Sequence, residues 1–217
     1  ADGDEVLITD WHWGAYDSLI DYPDRRVVSF RFLTEDGHFN VDAFREKVED
    51  ILTRQRNIVI ILNGIANNPT GYCMSVEEWQ AAVDVLKNAV EGKDKNAVLV
   101  PDVAYLDYSG EKQECRRFFK VFGGLPKNIL TIVAYTLSKG FTLYGQRQGA
   151  MIGITSDADV AKEFVDINQY ASRATWSNCN SAAQNVMIDI CSDSEKVARL
   201  DAERNTYFKL IGERAAI

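Results

Sequence analysis

Histidine is almost missing from this chain: only His12 and His38 occur among 217 residues. The four cysteines, Cys73, Cys115, Cys179 and Cys191, have no CxxC spacing and no histidine near them. Zinc sites draw on such ligands at short spacing, so no metal centre is expected. Cysteines this scattered form no disulfide framework and read as buried or idle thiols. With no secretory segment in view, they fit a reducing, cytoplasmic setting. No apolar run approaches the roughly 20 residues that span a bilayer. Lys and Arg form no cluster and the formal net charge is −8, which works against nucleic acid or an anionic membrane as partner. No Pro/Gly-rich linker, low-complexity tract or internal repeat divides the sequence.

What is present is ordinary for a globular domain, with 46% hydrophobic and 26% charged residues. Short β-rich runs alternate with amphipathic stretches, which predicts an α/β layered fold. Strands are expected at Glu5–Thr9, Arg26–Phe30, Ile58–Leu62, Ala97–Pro101, Ile129–Tyr135 and Ala150–Thr155. Helices are expected at Asp42–Thr53, Val76–Val90, Glu111–Phe122 and Asp157–Tyr170. Ser75 and Glu78 form a capping box ahead of the second helix. Beyond Asn180 the pattern is helical throughout, with a break near Ser192-Asp193. The organisation expected is one domain over residues 1–191 and a trailing helix over 192–217. Both ends read as cut: Ala1-Asp2-Gly3-Asp4 runs straight into Val6-Leu7-Ile8, and the last helical pattern is still running at the final residues. The sequence is therefore expected to be part of a longer chain.

Ligands of open α/β sheets gather where strands end and loops begin, and the unusual residues fall there. Asn67-Asn68-Pro69-Thr70-Gly71 follows a strand. Alone it is a turn, since Asn and Gly tolerate positive φ and Pro fixes its own; as chemistry, it aims the Asn68 amide into the crevice. Asp102, after Ala97–Pro101, is either a local cap or a carboxylate needing a cationic partner, with the Tyr105 hydroxyl nearby. The run Thr136-Leu137-Ser138-Lys139-Gly140-Phe141-Thr142-Leu143-Tyr144-Gly145-Gln146-Arg147 follows a buried strand. Lys139 is either a surface lysine or an amine held from water, the requirement for attack on a carbonyl. Thr136, Ser138 and Arg147 supply hydroxyls and a guanidinium suited to phosphate. Ser172–Asn178 reads as a polar connector with one packed Trp, or as a carrier of Arg173 toward a carboxylate.

Taken in order, Asn67-Asn68-Pro69-Thr70-Gly71, Asp102-x-Ala104-Tyr105 and Ser138-Lys139-x-Phe141-x-Leu143-Tyr144-x-x-Arg147 resemble class I/II aminotransferases. These are fold-type I pyridoxal-5′-phosphate (PLP) enzymes, and the likeness is to the aspartate aminotransferase kind. The resemblance runs over essentially the whole chain. It implies a three-layer α/β large domain with a mostly parallel central sheet flanked by helices. It implies Lys139 as the residue that carries the cofactor and then moves the substrate proton, Asp102 as partner of the pyridinium nitrogen, and Tyr105 and Asn68 as partners of the phenolic oxygen. Arg147, Ser138 and Thr136 hold the phosphate, and Trp13 stacks on the ring. Trp13 and Asn68 also face the substrate, and Arg173 presents a guanidinium to a substrate carboxylate in the neighbouring subunit. The implied activity exchanges an amino group between an L-amino acid, aspartate or aromatic, and a 2-oxo acid, in a homodimer with shared sites. Alternatives with the same cofactor motifs are a carbon–sulfur lyase or an aminocyclopropane-carboxylate-synthase-like enzyme, or a PLP-binding sensor domain of a transcription regulator.

This sequence departs from aspartate aminotransferases where it has Tyr16 and Asn63, since they usually place histidines at those positions. The family's glycine-rich phosphate loop and its α-carboxylate arginine do not lie within these residues. A protein made of these 217 residues alone is therefore expected to transaminate poorly; substantial turnover in a coupled assay contradicts that expectation.

Overall fold

The computed structural model describes residues 4–215. The expected domain start at Ala1 and helix end at Ile217 lie outside them. Six strands form one sheet: β1 (Glu5–Thr9), β2 (Arg26–Phe30), β3 (Asn57–Leu62), β4 (Asn96–Pro101), β5 (Ile129–Thr136) and β6 (Gly149–Ile154). Their order is β2-β1-β3-β4-β5-β6. β1 to β5 pair in parallel, and β6 runs antiparallel to β5 with Thr131 opposite Ile154 and Thr136 opposite Gly149. The helices are α1 (Ala15–Asp21), α2 (Val41–Arg54), α3 (Val76–Val90), α4 (Leu137–Gly140), α5 (Ala158–Thr175), α6 (Ser181–Cys191) and α7 (Ser194–Ala215). None of the described helices is long and apolar enough to cross a membrane.

Strand periodicity decides which side chain meets which layer. In β3, Ile58, Ile60 and Leu62 point into the main core, while Val59 and Ile61 turn to the opposite face, against Tyr16 and Ile20 of α1. The main core is closed by Phe44, Val48, Ile51 and Leu52 of α2 and by Trp79, Ala82, Val83 and Leu86 of α3. Each such buried side chain contributes about 1.5–3 kcal/mol relative to exposure. Trp79 stacks on Phe118 at 5.2 Å and meets Phe122 edge-on at 5.6 Å.

Past their last paired residues, the inner strands stay locked together. Asp102 N donates to Leu62 O at 3.1 Å and Val103 N to Ala134 O at 3.0 Å. This brings the ends of β3, β4 and β5 to one edge.

Several elements differ from the sequence expectation. Glu111–Phe122 is not an α-helix; its ordered part is a 3-10 helix over Glu114–Phe122. Its upstream turn is fastened by Glu111, whose carboxylate accepts from Gln113 N and Glu114 N, and the tighter winding seats Phe118, Val121 and Phe122 in the core. The helix expected to end at Tyr170 continues to Thr175, because no Gly or Pro interrupts it before the left-handed Ser177 (φ 71°). Arg173 thus sits on a helix rather than in a connector. Helix α1 was not legible: it is short, begins at Gly14 without a side-chain cap, and buries only Tyr16 and Ile20. The break at Ser192-Asp193 is real, with Asp193 accepting from Glu195 N and Lys196 N to start α7. All four cysteines are free, but Cys73, Cys179 and Cys191 are exposed rather than buried.

The capping box at α3 is formed: Ser75 Oγ accepts from Glu78 N at 3.1 Å, and Glu78 Oε2 from Ser75 N at 2.8 Å. Glu78 Oε1 also accepts from Tyr72 Oη at 2.6 Å and Phe39 N at 2.8 Å. Burial alone pushes that carboxyl up, but these donors outweigh it and hold Glu78 below its ordinary value. The stability it confers is therefore complete above pH 4.5 and is lost as pH falls through the lower folded value. Ser75→Ala is expected to remove about 1 kcal/mol, and Glu78→Gln to flatten the acid limb of stability against pH, both read by urea unfolding. An unchanged acid limb contradicts the second.

Candidate active site

The turn after β3 is held from inside by Asn67, which is buried. Its Nδ2 donates to Asn63 O at 3.1 Å and to Trp11 O at 3.2 Å, while its Oδ1 accepts from Thr70 N and from the Thr70 hydroxyl. Gly71 closes the turn in the left-handed region at φ 73°, which a side chain would disfavour. The Asn68-Pro69 bond is cis. Asn68 N donates to Asn63 Oδ1 at 2.7 Å, and Asn63 Nδ2 donates to Asp102 O at 3.0 Å. One buried amide thus ties Asn68 to the strand end that carries Asp102.

Both carboxylate oxygens of Asp102 have donors. Oδ1 accepts from Ala104 N at 2.9 Å, and Oδ2 from the Tyr16 hydroxyl at 2.5 Å. Burial, then the Asp102 charge and this bond, push the Tyr16 phenol well above its ordinary value. Tyr16 is therefore a neutral donor throughout the physiological range. A phenol and a backbone amide stabilise the carboxylate without cancelling its charge, which leaves that charge for a cation in the crevice.

Lys139 lies in the single turn of α4, at the end of β5. Thr136 caps that turn, accepting from Ser138 N at 3.1 Å, and its hydroxyl lies 2.9 Å from the Ser138 hydroxyl. Lys139 is half-buried. Its Nζ sits 5.4 Å from the Tyr105 ring centre and 4.8 Å from that of Tyr144, and makes no hydrogen bond or ion pair among the described residues. The Arg147 guanidinium lies 5.5 Å from the Tyr144 ring centre, and its Nη1 donates to Tyr144 O at 2.8 Å. Thr142 and Arg147 both have φ 52°, a conformation that costs a side-chain-bearing residue roughly 1–2 kcal/mol.

Every residue expected to hold the cofactor lines one cavity of about 350 Å³, a size that suits a small organic ligand. Trp13 borders it, half-exposed, with its ring edge-on to Tyr16 at 5.8 Å. An unpaired amine, a carboxylate seated on donors, and a guanidinium with two hydroxyls match the aldehyde, ring nitrogen and phosphate of PLP. Arg173 is elsewhere: it is exposed near the end of α5, bonded to the Ser177 hydroxyl. No metal-binding cluster occurs among the described residues.

Sequence reasoning assigned no role to Tyr144, Asn67 or Tyr135. Tyr144 stood inside a quoted motif, so its signal was available. Asn67 and Tyr135 act through contacts that no local pattern announces. Tyr16 and Asn63 were noted only as departures, whereas the structure brings both to Asp102.

Known proteins share this architecture. The model of the family "Aminotransferase class I and II" matches residues 1–215. The aromatic-amino-acid aminotransferase of Pseudomonas aeruginosa is 24% identical over 194 residues, 89% of this chain and 46% of that protein. Mitochondrial aspartate aminotransferase P2 of Lupinus angustifolius is 28% identical over 189 residues, 87% of this chain and 39% of that protein. A crystal structure of an aminotransferase from Anaerococcus prevotii superposes with a TM-score of 0.95 at 34% identity, covering 99% of this chain and 52% of that one. An aromatic-amino-acid aminotransferase from Burkholderia pseudomallei, covalently bound to pyridoxal phosphate, shares the fold with a TM-score of 0.82 at 22% identity, over 96% of this chain and 50% of that one. The chain spans less than half the length of these curated relatives. With a match running almost from end to end, this chain belongs to the class I and II aminotransferase family.

Proposed function

We propose that the full-length protein is a PLP-dependent aminotransferase that moves an amino group between an L-amino acid, aspartate or aromatic, and a 2-oxo acid. The observation that carries this reading is the unpaired Lys139 amine sharing one cavity with Asp102 and Arg147. Bound there, PLP supplies a reactive aldehyde and an electron-withdrawing ring. Lys139 would hold the cofactor by its aldehyde carbon and would serve as the base for the proton on the substrate Cα. Asp102, fixed by Tyr16 and Ala104, keeps the ring nitrogen protonated. Asn68 and Tyr105 orient the phenolic oxygen, Trp13 covers the ring, and Arg147 with Ser138 and Thr136 grips the phosphate.

Residues 1–191 then form the cofactor domain, with 192–217 leading toward a smaller one. Arg173, exposed and remote from its own cavity, serves the site of a second copy in a homodimer. Free cysteines support a cytoplasmic setting.

Half-reaction spectra test the reading. An amino acid should convert bound cofactor to its pyridoxamine form, and a 2-oxo acid should restore it, with aspartate tried before aromatic substrates. Release of pyruvate and ammonia without that interconversion indicates a lyase instead. Tyr16→Phe is expected to lower kcat/KM by about ten- to hundredfold, the equivalent of a bond of about 1.5–3 kcal/mol to a charged group. A folded variant with wild-type kcat/KM contradicts the role given to Tyr16.

A further inference from the structure

Tyr105 and Lys139 are each followed closely in sequence by a residue of a second buried cluster that the reading above does not use. Asp107 has a side chain only 5% exposed. Arg116 Nη2 reaches its Oδ1 at 2.7 Å, Arg204 Nη2 lies 3.5 Å from its Oδ2, and the Tyr135 hydroxyl donates to Oδ2 at 2.9 Å. Burial, reinforced by the Asp107 charge and bond, pushes the Tyr135 phenol up and keeps it a donor. Arg204 comes from α7. Its Nε donates to the Gly140 carbonyl at 2.7 Å, its guanidinium lies 4.3 Å over the Phe141 ring, and its Nη1 is 3.6 Å from Asp201.

These contacts surround the Lys139 turn. Gly140 directly follows Lys139, and a Cβ there would fall 1.9 Å from Asp107 Oδ2. Asp107 stands two residues after Tyr105, and Tyr135 directly precedes Thr136. The loop beyond Leu143 is largely exposed, so the turn is held within itself, with Leu137, Ser138 and Gly140 buried and Arg204 reaching Gly140 and Phe141. Arg204 Nη2 is buried without a hydrogen bond, so its compensation is the charge of Asp107, which Arg116 and Tyr135 also hold in place.

We propose that Arg204 and Asp107 are positioning residues: by clamping the Gly140 carbonyl and filling the space beside it, they fix Lys139 relative to Tyr105 and tie helix α7 to the cofactor turn. The proposal rests on the reading that Lys139 carries PLP. The two residues touch neither cofactor nor substrate, so their effect is on placement, and a misplacement of about 1 Å can cost about a hundredfold in rate.

The test uses the full-length protein with Arg204→Met, Asp107→Asn and, as a control, Lys112→Met, which removes an exposed arm of the same neighbourhood paired with Asp201. Arg204→Met and Asp107→Asn are expected to lower kcat about tenfold or more while KM moves less than about threefold. In cofactor-free protein, both should speed hydrogen exchange over 137–144. Lys112→Met should leave all three readings near wild type. Folded Arg204→Met and Asp107→Asn variants with wild-type kcat and exchange overturn the proposal. Should Arg204→Met fail to fold, Gly140→Ala displaces Asp107 from the other side and gives the same reading. If wild type itself takes up no PLP, the cofactor reading fails, while exchange in the unloaded protein still decides whether the clamp holds.

Discussion

A carboxylate at the end of an inner strand of a parallel sheet must find donors or a cation, because leaving it unpaired is costly. Asp102 has two donors, Tyr16 Oη and Ala104 N, and neither carries charge. Around this point the rest of the site is arranged. Asn63 takes the Asp102 carbonyl and passes the constraint to Asn68, while the backbones of β3 and β5 grip either side. Tyr16 is held in turn by α1, whose packing on Val59 and Ile61 is thin. The contribution of that short helix is thus mainly the placement of one hydroxyl. A histidine at the same position could share its proton and change charge near neutrality; the buried Tyr16 phenol, pushed well above its ordinary value, stays a neutral donor.

The site has a rigid half and a suspended half. Asp102, Asn63 and Asn67 grow from strand ends backed by the main core. Lys139 and Arg147 sit on a turn and loop outside that core, with left-handed residues at Thr142 and Arg147. Such strain persists only where surroundings over-determine it, and here Thr136 fastens the turn on one side and Arg204 on the other. Under the proposed function, the Lys139 amine would form and release a bond, and a firm support separate from the strand ends suits that role.

Much of this was legible in the residues. The apolar runs of β3 and β4 and the helical spacing of α3 announced these elements, because a strand packed on both faces is apolar throughout and a helix packed on one face is periodic. The motifs around Asn68, Asp102 and Lys139 fell at strand ends, where an open sheet presents ligands. What stayed hidden was either short or non-local. Helix α1 has no capping residue, and its two buried side chains give too little periodicity to see. The 3-10 winding of Glu114–Phe122 follows from where Phe118 and Phe122 must enter the core beside Trp79, which no local pattern states. The Tyr16–Asp102 bond spans 86 positions and the Arg204–Gly140 bond 64; contacts at such range are products of the fold, not of any window along the chain.

Reduction with borohydride tests the central claim most directly. The full-length protein, loaded with PLP and reduced, is predicted to carry the cofactor mass on the peptide containing Lys139, and Lys139→Ala is predicted to carry none. Folded wild-type protein that is labelled on another lysine, or not labelled at all, contradicts the account.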